Sequence, residues 1–532
     1  MQMLKVFTGA LVGLALTSSY SLAATPKNTL VVADAIDDII TLDPGEVSEV
    51  GGVLTANQIY QPLVSFAPED PSKIVGVLAE SWDVSADGKT YTFKMRNGMQ
   101  FASGNPVTAK DAEYSLRRVV EMKSRSAFIL SQFGLTEENV KDRIKATDDQ
   151  TLVIEIADTY APSFLYYCLS SYVGGIVDSK LVQEHEVDGD FGNAWLKAEN
   201  SAGSGPYMLT RWEPKQSILL TRNPNFTGDA PKDGKPVERI FLQHIPESAA
   251  QRLLLEKGDI DIANKLGPDD FGALGEKSGT TVVDGRSGTI YYMGLNVRNE
   301  HLAKPQVVKA LKYLVDYQGI VDTISRGTME VHQTLVPNGF LGALDYKPYD
   351  LDVEKAKALL SEAGISGEFT LDSVVWNTPP YTDFAQAIQA TMAQAGVKLN
   401  LEVVDGQQWL ERYRSASLDI WFGLWGPDYP DPHSNAKAFA VNKKDAPDGS
   451  TGLADRFGWD AGKLSQDAMA AVREQDTDKR RAMYEELQKK HTDTSPFLYM
   501  FQQVRKVATR AEIKGLVLGQ TFSDDRYWNV TK

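Results

Sequence analysis

Cysteine is almost missing from this chain: Cys168 is the only one in 532 residues. An internal disulfide and a multi-cysteine metal site are therefore excluded. Histidine is sparse too, with six residues at 185, 244, 301, 332, 433 and 491 and no HExxH pair, so the zinc-peptidase signature is lacking. Positive charge is in deficit, 55 Lys+Arg against 71 Asp+Glu, for a net charge of -16. That sign argues against non-specific nucleic-acid binding and against an anionic membrane surface as partner. Beyond the N-terminus no stretch approaches the about 18 consecutive apolar residues of a membrane span. No low-complexity tract and no fixed-period repeat occurs. A disulfide scaffold, a zinc finger and a polytopic membrane protein drop out together. What is present is ordinary globular composition, 42% hydrophobic and 24% charged. The length calls for roughly two to four domains.

Residues 1–23 read as a secretory signal peptide. Lys5 supplies the positive region, Gly9 to Leu16 is apolar, and Ser21-Leu22-Ala23 fits a small-x-small cleavage site. Thr17, Ser18 and Ser19 interrupt the apolar run, which weakens it as a membrane anchor. A lipoprotein needs a cysteine at the cleavage point, and Cys168 is far away. The expectation is a soluble periplasmic protein, not membrane-anchored, whose mature chain starts near Ala24. Cys168 is expected to be a small buried hydrophobe.

Helical and strand periods alternate, which indicates an α/β protein. Tyr91, Phe93 and Met95 alternate with polar residues as a half-buried strand behind an Asp87-Gly88 turn. Thr108 caps a helix reaching Val120, with Asp111 in its first turn. Leu152, Ile154 and Ile156 predict another strand. From Pro305 a helix carries Val307, Val308, Leu311, Leu314 and Val315 on one face. A second follows Asp352, burying Ala356, Leu359 and Leu360, and stops at Gly364. A third shows Phe384, Ala385, Ile388 and Met392 before Gly396; Val397, Leu399, Leu401 and Val403 then alternate as a strand. No long Pro/Gly/Ser linker separates two halves. Thr289–Asn296 and Pro496–Lys506 are apolar, aromatic-rich candidates for strands crossing between two lobes, the C-terminus returning to the first.

Motifs for catalysis are missing. Gly285-Arg286-Ser287-Gly288 is one residue short of a nucleophile elbow, and Gly203-Ser204-Gly205-Pro206 lacks a phosphate-binding lysine. The one dense constellation runs from Leu418 to Pro432. There a strand of large apolar side chains enters a loop holding Trp425, Asp428, Tyr429, Asp431 and prolines 427, 430 and 432. A carboxylate beside aromatics suits a cationic ligand, through charge pairing and cation–π contact. A packed strand end with a solvated acidic turn fits the same composition equally well.

Further segments bear on that choice. Leu78-Ala79-Glu80-Ser81-Trp82, the stretch from Ser85 through Asp87-Gly88 and Tyr91 to Phe101, and Pro106-Val107-Thr108 with Asp111 come first. Gly203-Ser204-Gly205-Pro206-Tyr207, Asn223-Pro224-Asn225-Phe226 and Gly258-Asp259-Ile260-Asp261 follow, then Leu295-Asn296, the Val307–Asp316 helix and the Trp425–Pro432 loop. In this order, across nearly the whole mature chain, they resemble the family 5 bacterial extracellular solute-binding proteins, the dipeptide- and oligopeptide-binding receptors of ABC importers.

The resemblance implies a two-lobed periplasmic binding protein fold, α/β in class, with hinge strands and an extra subdomain inserted in the first lobe. Lobe I would comprise 24–288 plus 505–532, with its insert at about 61–195, and lobe II 289–504. Ligand would be enclosed between the lobes, an extended peptide adding a strand to each. The resemblance places Gly423, Leu424 and Trp425 on the lobe II side and Glu46, Val47 and Ser48 on the lobe I side. Asp428 would pair with the ligand's α-ammonium, beside Trp425 and Tyr429. Trp376, Asn377 and Tyr381 would also face ligand, and Arg412 or Arg414 would receive its carboxylate. Family receptors often carry disulfides, which this chain cannot form. Other members bind nickel chelates, glutathione, opines and sugar derivatives.

The expected function is therefore the periplasmic substrate-binding component of an ABC importer: no enzyme, no cofactor, no metal, no nucleic acid, a monomer that delivers peptide to an inner-membrane permease. A non-peptide receptor of the same fold is the near rival. A secreted hydrolase is the distant one.

Overall fold

The computed structural model describes residues 25–67, 70–228, 231, 234–521 and 525–532. The signal peptide lies outside these residues. Local signals in the sequence produce the elements expected of them. Asp87-Gly88 turns the Ala79–Val84 strand into the Thr90–Met95 strand, Gly88 taking a left-handed φ of 71°. Thr108 and Asp111 form a reciprocal capping box at the head of the Ala109–Glu121 helix, the Thr108 N–H donating to Asp111 Oδ2 at 2.8 Å. Cys168 is fully buried, and burial pushes its thiol pKa well up.

Two expectations need correction. The helix from Pro305 ends at Lys312, so Leu314 and Val315 are buried in the following turn instead of on a helical face. The cause is Asp316, whose carboxylate accepts from the Gly319 N–H and starts a new helix, Tyr317–Thr323. In the Val397–Val404 strand the alternation fails at its end: Val403 is 55% exposed and Val404 is buried. This strand forms the edge of its sheet.

One eleven-stranded mixed sheet runs through the molecule. At its centre the long strands Thr280–Leu295 and Phe497–Arg510 pair antiparallel. Strands Ile420–Trp425, Phe369–Trp376 and Val397–Val404 extend the sheet on one side. Strands Ile262–Ala263, Thr29–Asp34, Arg239–His244, Ser217–Arg222 and Tyr207–Glu213 extend it on the other, and the short eleventh strand, Met329–Val331, pairs with Phe497–Arg510 beside them. Each side has its own core. Leu30, Val32, Ile240 and Ile262 pack with Val507, Ile513 and Val530, so the C-terminal segment joins the first half. Met293, Leu371, Ile388 and Ile420 pack with Leu498, Met500 and Phe501. The pairing of the two long strands is irregular between Arg286 and Ile290, opposite Val504 and Gln502. There Gln502 Nε2 donates to the Ser287 carbonyl at 2.7 Å, and Ser287 Oγ donates to Gln503 Oε1 at 3.1 Å.

Between the first two strands of the first half, residues 64–155 build two small sheets of their own, Val64–Ala67 with Asp70–Gly76 and a four-stranded antiparallel sheet. Aromatics of this segment, with Phe164 and Tyr167, share a core with Tyr429, Phe439 and Phe497 of the second half.

Candidate functional site

Parallel strands of both halves end toward the site. Phe369–Trp376, Val397–Val404 and Ile420–Trp425 run parallel and finish at Trp376, Val404 and Trp425. Thr29–Asp34 runs parallel to Arg239–His244 and Ile262–Ala263. In open α/β sheets ligands bind outside such carboxyl ends.

The Ile420–Trp425 strand has one open edge. On one side it pairs with Thr280–Leu295 along its whole length, Gly423 opposite Tyr292 and Leu424 opposite Tyr291. On the other side its pairing with Phe369–Trp376 covers only Ile420 and Trp421. Beyond Trp421 the strand offers an unpaired edge that ends in Trp425, and Leu424 is exposed. Trp425 packs edge-on against Phe439, with ring centroids 5.7 Å apart.

Three acids flank this strand, and their partners separate them. Asp419 accepts from Asn299 Nδ2 and from the Asp372 N–H, both at 2.9 Å. Asp431 is fully buried in a two-pronged pair with Arg480 and also caps the Pro432–Ala440 helix through the His433 N–H. Asp428 is half-buried and forms no ion pair among the described residues. Its partner is the Tyr172 hydroxyl, which donates to Oδ1 at 3.3 Å from a short 3-10 helix of the inserted segment. Burial without a cation pushes the Asp428 carboxyl pKa up to about 6. Tyr429 turns away from this carboxylate. It is buried against Phe164, and its hydroxyl donates to Gln132 Oε1 at 3.4 Å, so it anchors the loop to the insert.

Across the site, Glu46 Oε2 is held by Asn193 Nδ2 at 2.7 Å and Lys197 Nζ at 2.8 Å. Val47 is buried. The Glu46 and Val47 N–H groups both donate to the Asp43 carbonyl, and the Val47 carbonyl accepts from Ser126 Oγ at 3.1 Å. Ser48 donates to the Glu49 carboxylate. Much of the backbone of 46–48 is thus committed within its own lobe. Ser126 and Glu49 both act on Tyr172, so the 46–49 segment and Asp428 meet through Tyr172.

Trp376 stacks on Trp409 and lies 5.5 Å from Tyr381; Trp409 in turn stacks on Trp421 at 4.1 Å. The Asn377 N–H is taken by the Val404 carbonyl at 2.9 Å. The structure joins Trp376 and Tyr381 through Trp409 in one aromatic cluster, whereas Trp425 packs on Phe439. Arg412 and Arg414 lie exposed on the outer side of the Gly406–Ser415 helix, Arg412 paired with Glu402 at 3.4 Å, and the structure does not bring either to Asp428. Sequence reasoning passed over Tyr172, Ser126 and Trp409. Only Trp409 left a trace, its i, i+4 spacing with Tyr413 on one helix face. Among the described residues no cluster of three metal-ligating side chains occurs, and no helix is long and apolar enough to cross a membrane.

The profile of bacterial extracellular solute-binding proteins, family 5 (middle), matches residues 73–446. The chain belongs to this family. This solute-binding protein is 30% identical over 520 residues, 96% of each chain, to a probable D,D-dipeptide-binding periplasmic protein of Escherichia coli. It is 26% identical over 510 residues, 91% of this chain and 92% of the other, to the nickel-binding periplasmic protein of the same species. Its fold matches an ABC transporter-associated periplasmic binding protein of Helicobacter pylori, solved with the peptide STSA, at a TM-score of 0.79 and 22% identity. That match covers 94% of this chain and 98% of the other. The two sheet halves joined by two long strands are thus the two-lobed periplasmic binding protein fold.

Proposed function

We propose that this solute-binding protein is the periplasmic receptor of an ABC importer, binding short peptides with a free N-terminus between its lobes and passing them to an inner-membrane permease. In this reading it works as a monomer, performs no chemistry on its ligand and needs no cofactor. The observation that carries the reading is Asp428, a half-buried carboxylate with no protein cation opposite it, just past an unpaired strand edge. A peptide supplies both complements at once: an α-ammonium for the carboxylate and an extended backbone for the edge. Gly423, Leu424 and Trp425 then contact the backbone, while Trp376, Tyr381 and Trp425 wall the side-chain space. On the lobe I side, Glu46, Val47 and Ser48 contribute their outward surface more than their backbone hydrogen bonds. Lobe I is read as 24–288 plus 505–532, lobe II as 289–504. The D,D-dipeptide-binding relative supports a peptide ligand.

The nickel-binding relative favours a second reading, a cationic non-peptide solute at Asp428. Mass spectrometry of co-purified ligand, followed by melting curves with free and N-acetylated peptide, separates the two. Free peptide at 100 times its dissociation constant should add about 2.7 kcal/mol of stability, and the acetylated form should add little. Equal stabilisation by both forms, or by neither, would turn the assignment toward the non-peptide solute.

A further inference from the structure

We propose that Tyr172 is a specificity-determining residue of the ligand site, its hydroxyl and Asp428 together forming a cation site that is complete only when the lobes are closed. The inference rests on the peptide reading of Asp428. Tyr172 belongs to the inserted segment and Asp428 to the second lobe, 256 residues away, yet the hydroxyl donates to Oδ1 at 3.3 Å. Such a bond is long for a hydroxyl donating to a carboxylate. An ionised carboxylate has about four acceptor positions, so an ammonium can join without displacing the phenol. The phenol oxygen keeps lone pairs of its own and offers the ammonium a second acceptor. Asp428 alone would hold a cation on an open lobe; with Tyr172 the same cation is gripped from both sides.

The charges around the pair fit this role. Glu49, at the head of the Val50–Ala56 helix, acts on Tyr172 from the first lobe. From the loop and the Pro162–Ser170 helix, Tyr429 and Cys168 feel Asp428 as well as Asp431. Lys437 reaches only Cys168 among these groups, and Arg480 is engaged by Asp431. The surroundings are acidic or neutral, as a cation requires. Because the hydroxyl favours the ionised carboxylate, it also holds the Asp428 pKa below where burial alone would put it.

The test is calorimetry on Tyr172→Phe with free and N-acetylated peptides across pH 4–8. Loss of a hydrogen bond to a charged group should weaken free peptide about tenfold and leave acetylated peptide unchanged. The acid limb of the binding curve should move to higher pH, which a packing role for Tyr172 would not cause. A 3-fluorotyrosine at position 172 preserves the fold, donates more strongly and should move the limb the other way. Unchanged affinity, an unmoved acid limb, or tighter binding by Tyr172→Phe would overturn the inference. If wild type itself does not prefer free peptide, the peptide reading falls first. If wild type does and Asp428→Asn loses that preference while Tyr172→Phe retains it, only the role of Tyr172 falls.

Discussion

Arg480 grips Asp431 with one nitrogen at 2.8 and 2.9 Å from the two carboxylate oxygens, both side chains buried. Three residues earlier, Asp428 accepts from the Tyr172 hydroxyl and has no cation partner among the described residues. One turn of loop therefore carries a spent carboxylate and an unspent one. The first builds the loop, and the second is available to ligand.

Asp428→Asn should bind free peptide at least roughly a hundredfold more weakly than wild type. Leaving an ammonium in the closed site without its counter-charge costs about 3–5 kcal/mol. N-acetylated peptide should be affected far less. Titration calorimetry reads both, and wild-type affinity in the variant would remove Asp428 from the site.

Affinity should also fall in acid. With the Asp428 pKa raised to about 6, protonation competes with the ammonium below that pH, and each further unit should cost about tenfold. A pH-independent affinity between 4 and 8 would contradict this. Of the other two acids beside the strand, Asp431 is paired with Arg480 and Asp419 accepts from Asn299 and the Asp372 N–H, which is why Asp428 should dominate the profile.

The same substitution should stabilise the protein. A carboxylate whose pKa rises from 3.8 in the unfolded chain to about 6 in the fold opposes folding when charged. That cost is absent below pH 3.8 and fully present above pH 6. Asp428→Asn should thus gain up to about 3 kcal/mol at pH 8 and nothing at pH 3.5. Urea unfolding at the two pH values checks the sign.

What the sequence revealed follows the range of the interactions involved. The Thr108–Asp111 box, the Asp87-Gly88 turn and the glycine stops at 364 and 396 depend on neighbours a few residues apart, and they are legible. Asp428 was legible as a carboxylate among aromatics, but its partner was not. Tyr172 sits 256 residues upstream, and no spacing encodes that meeting. Arg412 and Arg414 attracted attention by charge alone, whereas their orientation is set by Trp409 and Tyr413 stacking on Trp421 across the helix. At 46–48, Ser126 bridges the Val47 carbonyl and Tyr172, yet Asp43 and Ser126 use up backbone groups that a strand addition needs.

Arg480→Ala should destabilise the fold by about 3–5 kcal/mol, because it strips a buried carboxylate of its cation. Arg480→Met combined with Asp431→Asn should recover most of the loss, since asparagine can still cap the Pro432–Ala440 helix. Urea unfolding of the single and double variants measures the difference. A single variant as stable as wild type would mean that Asp431 finds other partners.

The final prediction concerns motion. Thr280–Leu295 and Phe497–Arg510 each have one end in either core, and their pairing loosens between Arg286 and Ile290. A bend there, next to a second register shift between Tyr291 and Tyr292, costs few ladder hydrogen bonds, whereas bending in the regular stretch Thr280–Arg286 would break paired ones. On the cleft side the lobes meet through polar contacts such as Tyr172 with Asp428 and through aromatic packing of Phe164 on Tyr429 and His433, and opening must separate both. Peptide that touches both lobes gains its full binding energy only in the closed form, so it must shift the population toward closure. Small-angle scattering should show a smaller radius of gyration with saturating peptide than without. Pinning the crossing with cysteines at Arg286 and Val504, which are paired across the two strands, should reduce that contraction when oxidised and restore it when reduced. An unchanged radius despite calorimetric binding would show that the lobes do not close about these strands.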